Sequence, residues 1–117
     1  MRILVAFEDD YRVYREVIAA GISILRPHVE VETASLEALG ERIEHFNPEL
    51  VICGGHEATP SGGTAAWVEI PLDPLQPAKL WVGERYSERS NTTVEELVAV
   101  IDEVEELTQT NGDIEGS

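Results

Sequence analysis

Short apolar runs alternate with longer amphipathic segments in the first half of the chain, and this alternation predicts the order β-α-β-α-β. Residues 3–7 and 50–53 are apolar throughout and are followed by turn signals, which is typical of buried parallel strands. Residues 29–33 alternate between apolar and polar side chains, as a half-buried strand does. Strands in this order are joined by right-handed crossovers, so the pattern predicts a parallel sheet with helices between its strands.

Each of the two helices in this half begins next to a residue that can cap it. Asp9 or Asp10 can cap the first helix, and Ser35 can cap the second. The second helix carries apolar residues along one side between residues 36 and 46. The first helix has apolar residues at helical spacing that we predict to form its buried face: Tyr14, Val17, Ile18, Gly21 and Leu25.

The second half of the chain follows a different pattern. Residues 54–64 contain four glycines and one proline and show no helical periodicity. Residues 65–70 and 80–82 predict a fourth and a fifth strand, and the three prolines between them exclude a regular helix there. Thr93 and Glu96 form a capping box at the start of a final amphipathic helix.

Together these elements predict one α/β domain over residues 1–107, followed by a flexible polar tail over residues 108–117. The expected architecture is a flavodoxin-like, doubly wound parallel sheet with five strands in the order 2-1-3-4-5. Only the 25 residues 54–78 separate the third strand from the fifth, whereas each crossover normally needs about 10–12 residues. The helices after strands three and four are therefore expected to be reduced or absent.

Three segments carry a resemblance to a known family. The apolar residues 3–5 are followed by an acidic cluster at 8–10, residues 47–52 have the sequence Asn-Pro-Glu-Leu-Val-Ile, and residues 94–97 begin the last helix with Val-Glu-Glu-Leu. In their order and spacing these segments resemble the first strand, the third strand and the last helix of the receiver domain of response regulators. The resemblance covers nearly the whole predicted domain.

The resemblance implies a phosphorylation site, but this chain lacks several of its essential groups. In a receiver, an aspartate at the end of the third strand accepts the phosphoryl group beside a bound Mg²⁺, and here Gly54 stands at that position. Asp9 and Asp10 match the acidic cluster that binds the cation. The hydroxyl expected after strand four and the lysine expected near Gly83 are missing. We therefore expect a degenerate receiver, or pseudo-receiver, that is not phosphorylated at the usual position.

The short stretch between the third and the fifth strand also bears on binding partners. In a receiver, helices cover this part of the sheet, so their loss would expose apolar side chains near Trp67 and Trp81. An exposed apolar patch of several hundred Å² usually marks an interface, which predicts a homodimer or a docked protein partner on this face. Alternatively, the proline-rich loop folds down and covers the patch.

Charge and cysteine content narrow the range of functions. The chain has 23 acidic and 8 basic residues, a net charge of −15, and such a surface repels nucleic acids and anionic lipids. A single cysteine, Cys53, excludes an internal disulfide and a cysteine-rich zinc site. The longest apolar runs fall short of the roughly 20 residues that a bilayer crossing needs. We therefore expect a cytoplasmic protein without nucleic-acid or membrane partners.

Two groups of residues keep a ligand-binding alternative open. Asp9 and Asp10 could retain a divalent-cation site, and the structural alternative is a helix cap in a solvated acidic turn. Gly54, Gly55 and His56 open a glycine-rich loop that could bind an anion through its backbone N–H groups. His56 could also pair with Cys53, which would then act as a nucleophile. The structural alternative for this loop is a simple replacement for a lost helix.

The missing receiver groups favour one function over its alternative. The favoured function is a non-catalytic, receiver-like signalling or regulatory module that acts by protein–protein interaction or dimerisation and uses no cofactor. The alternative is a small-ligand or metal-binding domain, or a small enzyme, that uses residues 54–64 together with Asp9 and Asp10.

Overall fold

The computed structural model describes residues 1–54, 66–71, 76–82, 85–90 and 93–116, with side chains described as far as Glu106. The strands are β1 (Arg2–Ala6), β2 (Glu30–Ala34), β3 (Leu50–Gly54), β4 (Ala66–Ile70), β5 (Ala78–Val82) and β6 (Arg85–Arg89). The helices are α1 (Arg12–Leu25), α2 (Leu39–Phe46) and α3 (Val94–Gly116), with short 3₁₀ turns at Asp9–Tyr11 and Leu36–Ala38. Gly55 and His56 lie outside the described residues, and the flexible tail expected over residues 108–117 stays a prediction.

The described strands form one mixed sheet in the order β2-β1-β3-β4-β5-β6. The first four strands pair in parallel, whereas β5 runs antiparallel to β4 and β6 runs antiparallel to β5. This corrects the prediction of a five-stranded parallel sheet, because a sixth strand is present and the last two strands pair in antiparallel. The seven residues 71–77 that join β4 to β5 are too few for the helical crossover that a parallel pair requires. An antiparallel pair needs no crossover, so this short link is sufficient for it.

Helices cover both faces of the sheet, which confirms the predicted α/β class. α1 and α3 pack on the first face, where the strands contribute Ile3, Val5, Leu50, Ile52, Ala66, Val68, Leu80 and Val82. α2 packs on the second face, where the strands contribute Leu4, Ala6, Val51, Cys53 and Trp67. Because side chains alternate along a strand, neighbouring residues of β1 and β3 belong to different cores.

α1 faces the sheet with a different side from the one that its sequence predicts. Ile18 and Ile22 are the buried residues of this helix. Tyr14, Val17 and Leu25 are expected to be buried from their spacing, but all three are exposed. Apolar residues occur nearly all round α1, so periodicity alone does not determine which side meets the sheet.

Candidate functional site

The carboxyl ends of β1 and β3 lie side by side, between the helices of opposite faces. In open α/β sheets ligands bind at this place. Phe7, the residue that follows β1, packs next to this place on the side of the first face and is only 1% exposed. The ring lies against the backbone of Gly54, so that a Cβ atom at position 54 would stand 2.2 Å from Cδ2 and Cε2 of Phe7. No residue larger than glycine therefore fits at the end of β3 unless the ring moves.

The Phe7 ring is also supported from the side of α1. Tyr14 packs against it edge to face, with the ring centroids 5.2 Å apart and the planes at 90°. Aromatic rings attract each other in this arrangement. Gly54 is held in its turn by pairing with Ile70 of β4. The glycine at the position of the receiver phosphoacceptor thus belongs to a packed contact and does not open a space for a ligand.

Arg15 of α1 brings a positive charge to the neighbouring ends of β1 and β2. Its Nη1 atom donates hydrogen bonds to the carbonyl oxygens of Phe7 and Ala34, each at 3.1 Å. The same atom lies 3.7 Å from Oδ1 of Asp9. A guanidinium from the chain itself therefore occupies the position where strand-end oxygens and a carboxylate could otherwise attract a cation.

The acidic residues after β1 border an open cleft with a volume of about 490 Å³. The cleft is lined by Glu8, Asp9, Asp10, Ser35, Leu36 and Glu37. Within the part of the chain that the structure describes, no three His, Cys, Asp or Glu side chains are grouped so that they could hold a metal ion. The cation site expected at Asp9 and Asp10 gains no further ligand from these residues and stays a prediction.

Asp9 and Asp10 lie within the 3₁₀ turn that precedes α1. The helix begins at Arg12 with Tyr11 as its N-cap residue, and no side-chain hydrogen bond caps either the turn or the helix. The prediction that Asp9 or Asp10 caps the helix is therefore wrong. The extra turn moves the start of α1 beyond the reach of these carboxylates, which leaves both of them exposed.

Cys53, the alternative nucleophile beside His56, is fully buried near the end of β3. Burial raises the pKa of its thiol to about 12, the Glu69 carboxylate adds to the rise, and the nearby Trp67 indole opposes it. A cysteine in such surroundings is protonated at neutral pH and unreactive. Whatever the position of His56, the thiol lacks the exposure that a Cys–His nucleophile needs.

Trp67 and Trp81 lie opposite each other on β4 and β5, on the face that α2 covers. Trp67 is only 2% exposed, and its strand position places it between Val51 on one side and Trp81 on the other. Trp81 is half-buried and packs against Tyr86 of β6, with ring centroids 5.1 Å apart. Trp67 therefore offers no surface to a partner, and the interface expected near Trp67 and Trp81 stays a prediction.

The exposed apolar side chains are concentrated on α1 and the turn before it. Of the seven large apolar side chains that are exposed among the described residues, six lie within residues 11–25. Three of these lie on the side of α1 opposite Ile18 and Ile22. They are Val13, Val17 and Ile24, with exposed fractions of 69%, 55% and 78%. Together with the exposed Ala20 they form what we call the outward stripe.

Neither the outward stripe nor the contact between Phe7 and Gly54 was predicted from the sequence. The stripe had a signal, because its members follow one another at intervals of four, three and four residues. A short helix with one apolar stripe around Ile18 and Ile22 and a second one on its opposite side cannot bury both against a single sheet. This pattern indicates that one of the two stripes stays outside the core. The contact at Gly54 had only a weak signal in the sequence. A glycine in a strand often marks a place where another group packs closely against the backbone, but it does not identify that group.

Comparison with known proteins assigns no family to the chain. No protein-family model, no curated protein and no solved structure matches it. Among the helices that the structure describes, none combines the length and the apolar character required to cross a membrane. Proposals about function therefore rest on the geometry of the described residues.

Proposed function

We propose that this chain is a non-catalytic, receiver-like module that acts in signalling or regulation by binding a protein through the outward face of α1. The observation that carries this proposal is the outward stripe, whose three large side chains are more than half exposed while the opposite side of the helix is buried. Contiguous exposed apolar side chains commonly mark interaction sites. A convex helix surface suits another protein, whereas a small molecule requires a concave pocket.

The packing of Phe7 against Gly54 supports the non-catalytic part of the proposal. A carboxylate at position 54 would need the space that the Phe7 ring fills. Transfer of a phosphoryl group also needs a cation and positively charged groups around the phosphate. The nearby arginine, Arg15, already has carbonyl oxygens as acceptors. We therefore expect the module to switch by binding, without phosphorylation at Gly54.

A phosphodonor assay tests this part. The protein is incubated with acetyl phosphate and Mg²⁺, and its intact mass is measured beside a phosphorylatable receiver domain as the positive control. We expect the control to gain a phosphoryl group and this chain to gain none. An acid-labile phosphoryl adduct would contradict the proposal, and its position would identify another phosphoacceptor.

A capture experiment tests the binding part. The chain, the variant Val17→Ser/Ile24→Ser and the matched control Ala99→Ser on the exposed side of α3 are immobilised separately. Each is incubated with an extract of the cells that make the protein, to which a differently tagged copy of the chain is added. We expect at least one protein to be retained by the original chain and the control but lost from the stripe variant. If no bound protein, the added copy included, depends on the stripe, the proposal is wrong.

A further inference from the structure

The outward stripe has a spacing that is the same in both directions along α1. Its members are Val13, Val17, Ala20 and Ile24, separated by four, three and four residues. At 3.6 residues per turn these positions fall within a narrow band along the helix. When such a band meets a reversed copy of itself, the outer positions face each other and so do the inner ones. Val13 then faces Ile24 of the second copy, and Val17 faces Ala20.

The charge distribution allows a second copy to approach on this side. The chain carries 23 acidic and 8 basic residues, so two copies repel each other across most of their surfaces. The exposed charged side chains of α1 itself are one basic residue, Arg12, and one acidic residue, Glu16. By contrast, the exposed surface of α3 carries Glu95, Glu96, Asp102 and Glu106. Two copies that meet through the apolar side of α1 therefore repel each other less than two copies that meet through α3.

Two further side chains extend the apolar surface along one flank of the stripe. Tyr14 and Leu25 are 43% and 44% exposed and lie on the same flank of α1. In an antiparallel pair related by a twofold axis, the same flank of both α1 helices lies on the same side of the contact, and the two helices run in opposite directions. Tyr14 of one copy therefore lies next to Leu25 of the other. The small side chain of Ala20 near the axis allows the two helices to approach closely. One flank of the contact is thus apolar, whereas the exposed Glu16 lies on the other flank.

We propose that a second copy of this chain covers the outward stripe, in an antiparallel α1–α1 pair whose twofold axis passes between Val17 and Ala20. This inference rests on the proposed function and names the partner of the same surface. The contact is small, because a helix of 14 residues is only about 21 Å long. Stable interfaces bury about 800 Å² on each partner, so the pair is a weak dimer that forms with increasing concentration.

Sedimentation velocity over a series of concentrations tests whether the dimer forms. We expect the average mass of the chain to rise from monomer towards dimer, and the dimer to strengthen with added salt, because salt screens the repulsion between two acidic chains. Val17→Glu should abolish the dimer, whereas Ala99→Glu, which adds the same charge on the exposed side of α3, should leave it nearly unchanged. Circular dichroism of both variants checks that the fold is retained.

Disulfide trapping tests the antiparallel arrangement. In an antiparallel pair the two copies of Val13 lie about 16 Å apart, measured along the helix axis, whereas Val13 of one copy lies next to Ile24 of the other. We expect a mixture of tagged Val13→Cys and untagged Ile24→Cys to form the mixed disulfide in excess over either homodimer. The native Cys53 is buried and should not compete. A dominant Val13→Cys homodimer would show a parallel pair and contradict the arrangement.

The outcomes separate this inference from the proposed function. A chain that stays monomeric at the highest attainable concentration, with and without salt, overturns the self-association. If a different protein still binds in a stripe-dependent way, the proposed function holds and only the identity of the partner was wrong. If the dimer forms but Val17→Glu does not weaken it, the interface lies elsewhere and the inference is also overturned.

Discussion

The carboxyl edge of β1 and β3 and the outward face of α1 are built in opposite ways. At the edge, the Phe7 ring packs against the backbone of Gly54, so that no space remains there for a side chain at position 54. On α1, three aliphatic side chains are exposed to solvent where a surface helix usually carries polar residues. The first region is packed around the Phe7 ring, and the second has an apolar surface that the monomer leaves uncovered.

One helix takes part in both regions. Tyr14 supports the Phe7 ring from the flank of α1, and Val17, less than one turn further on, lies on the outward stripe. α1 therefore supports the contact between Phe7 and Gly54 while it presents another surface to solvent. The place where a fold commonly binds ligands therefore does not identify the binding surface of a particular chain, because side-chain packing decides which surfaces stay exposed.

The contact between Phe7 and Gly54 should give the largest effect on stability. Phe7→Ala removes a fully buried ring, and we expect it to lower the free energy of unfolding by about 3–5 kcal/mol. Gly54→Ala forces a Cβ atom against the ring, and we expect a loss of about 1–3 kcal/mol or more. With the ring absent, Gly54→Ala should cost much less, so the two changes are coupled. Urea unfolding of both single variants and the double variant measures this coupling.

Gly40→Ala is the matched control for this cycle. The same substitution at position 40 of α2 meets no atom within 4 Å. We expect it to be neutral or to stabilise the protein slightly, since alanine favours a helix by about 0.5–1 kcal/mol over glycine. If the losses from Phe7→Ala and Gly54→Ala simply add up, the ring does not fill the space above Gly54 and the edge is open.

Alanine substitutions at two adjacent positions of α1 should affect the free energy of unfolding very differently, because one side chain faces the sheet and the other faces solvent. Ile18→Ala removes a buried side chain, and we expect a loss of about 2–5 kcal/mol. Val17→Ala should change the free energy of unfolding of the monomer by less than about 0.5 kcal/mol. The measurement belongs at low protein concentration, because dimer formation would add to the apparent stability. Similar losses at both positions would mean that the outward stripe is packed in the monomer.

Cys53 should give a smaller effect that depends on pH. Its thiol has a pKa of about 12 in the folded chain, compared with about 8.5 when unfolded. Between these values the folded state keeps a proton that the unfolded state has lost. The stabilisation is therefore complete below pH 8.5 and declines above it, by at most about 1.4 kcal/mol per pH unit. Unfolding from pH 7 to 10 should show this decline, and Cys53→Ala should lack it.

Thiol labelling gives an independent check on Cys53. At pH 8 a thiol-reactive disulfide reagent should react slowly with the folded protein and rapidly with the protein in concentrated urea. Rapid labelling of the folded protein would contradict the burial of Cys53 and would restore the nucleophile alternative.

The sequence was most informative where structure depends on neighbouring residues. The runs at 3–7 and 50–53 predicted the central strands, and the structure places β1 and β3 there. The capping box of Thr93 and Glu96 predicted the start of the last helix, and the backbone N–H of Glu96 donates to the Thr93 hydroxyl at 3.3 Å. Gly54 could likewise be identified as the end of β3 without a phosphorylatable side chain.

The sequence was least informative where distant segments compete for the same space. The polar sequence of β6 contains no apolar run, because this edge strand is largely exposed and is held by pairing with β5. The direction of β5 depends on the link over residues 71–77, which is short enough for an antiparallel return but has no strong signal of its own. The burial of Trp67 depends on its neighbours across the sheet.

By itself, the sequence determined the α/β class, the two central strands and the glycine at the end of β3, because local periodicity and composition are sufficient for these. Only the tertiary structure decided which side of α1 meets the sheet, that β5 and β6 pair in antiparallel, and that Phe7 covers Gly54. Each of these outcomes depends on side chains far apart in the chain that cannot occupy the same volume, and periodicity along one segment does not record that competition.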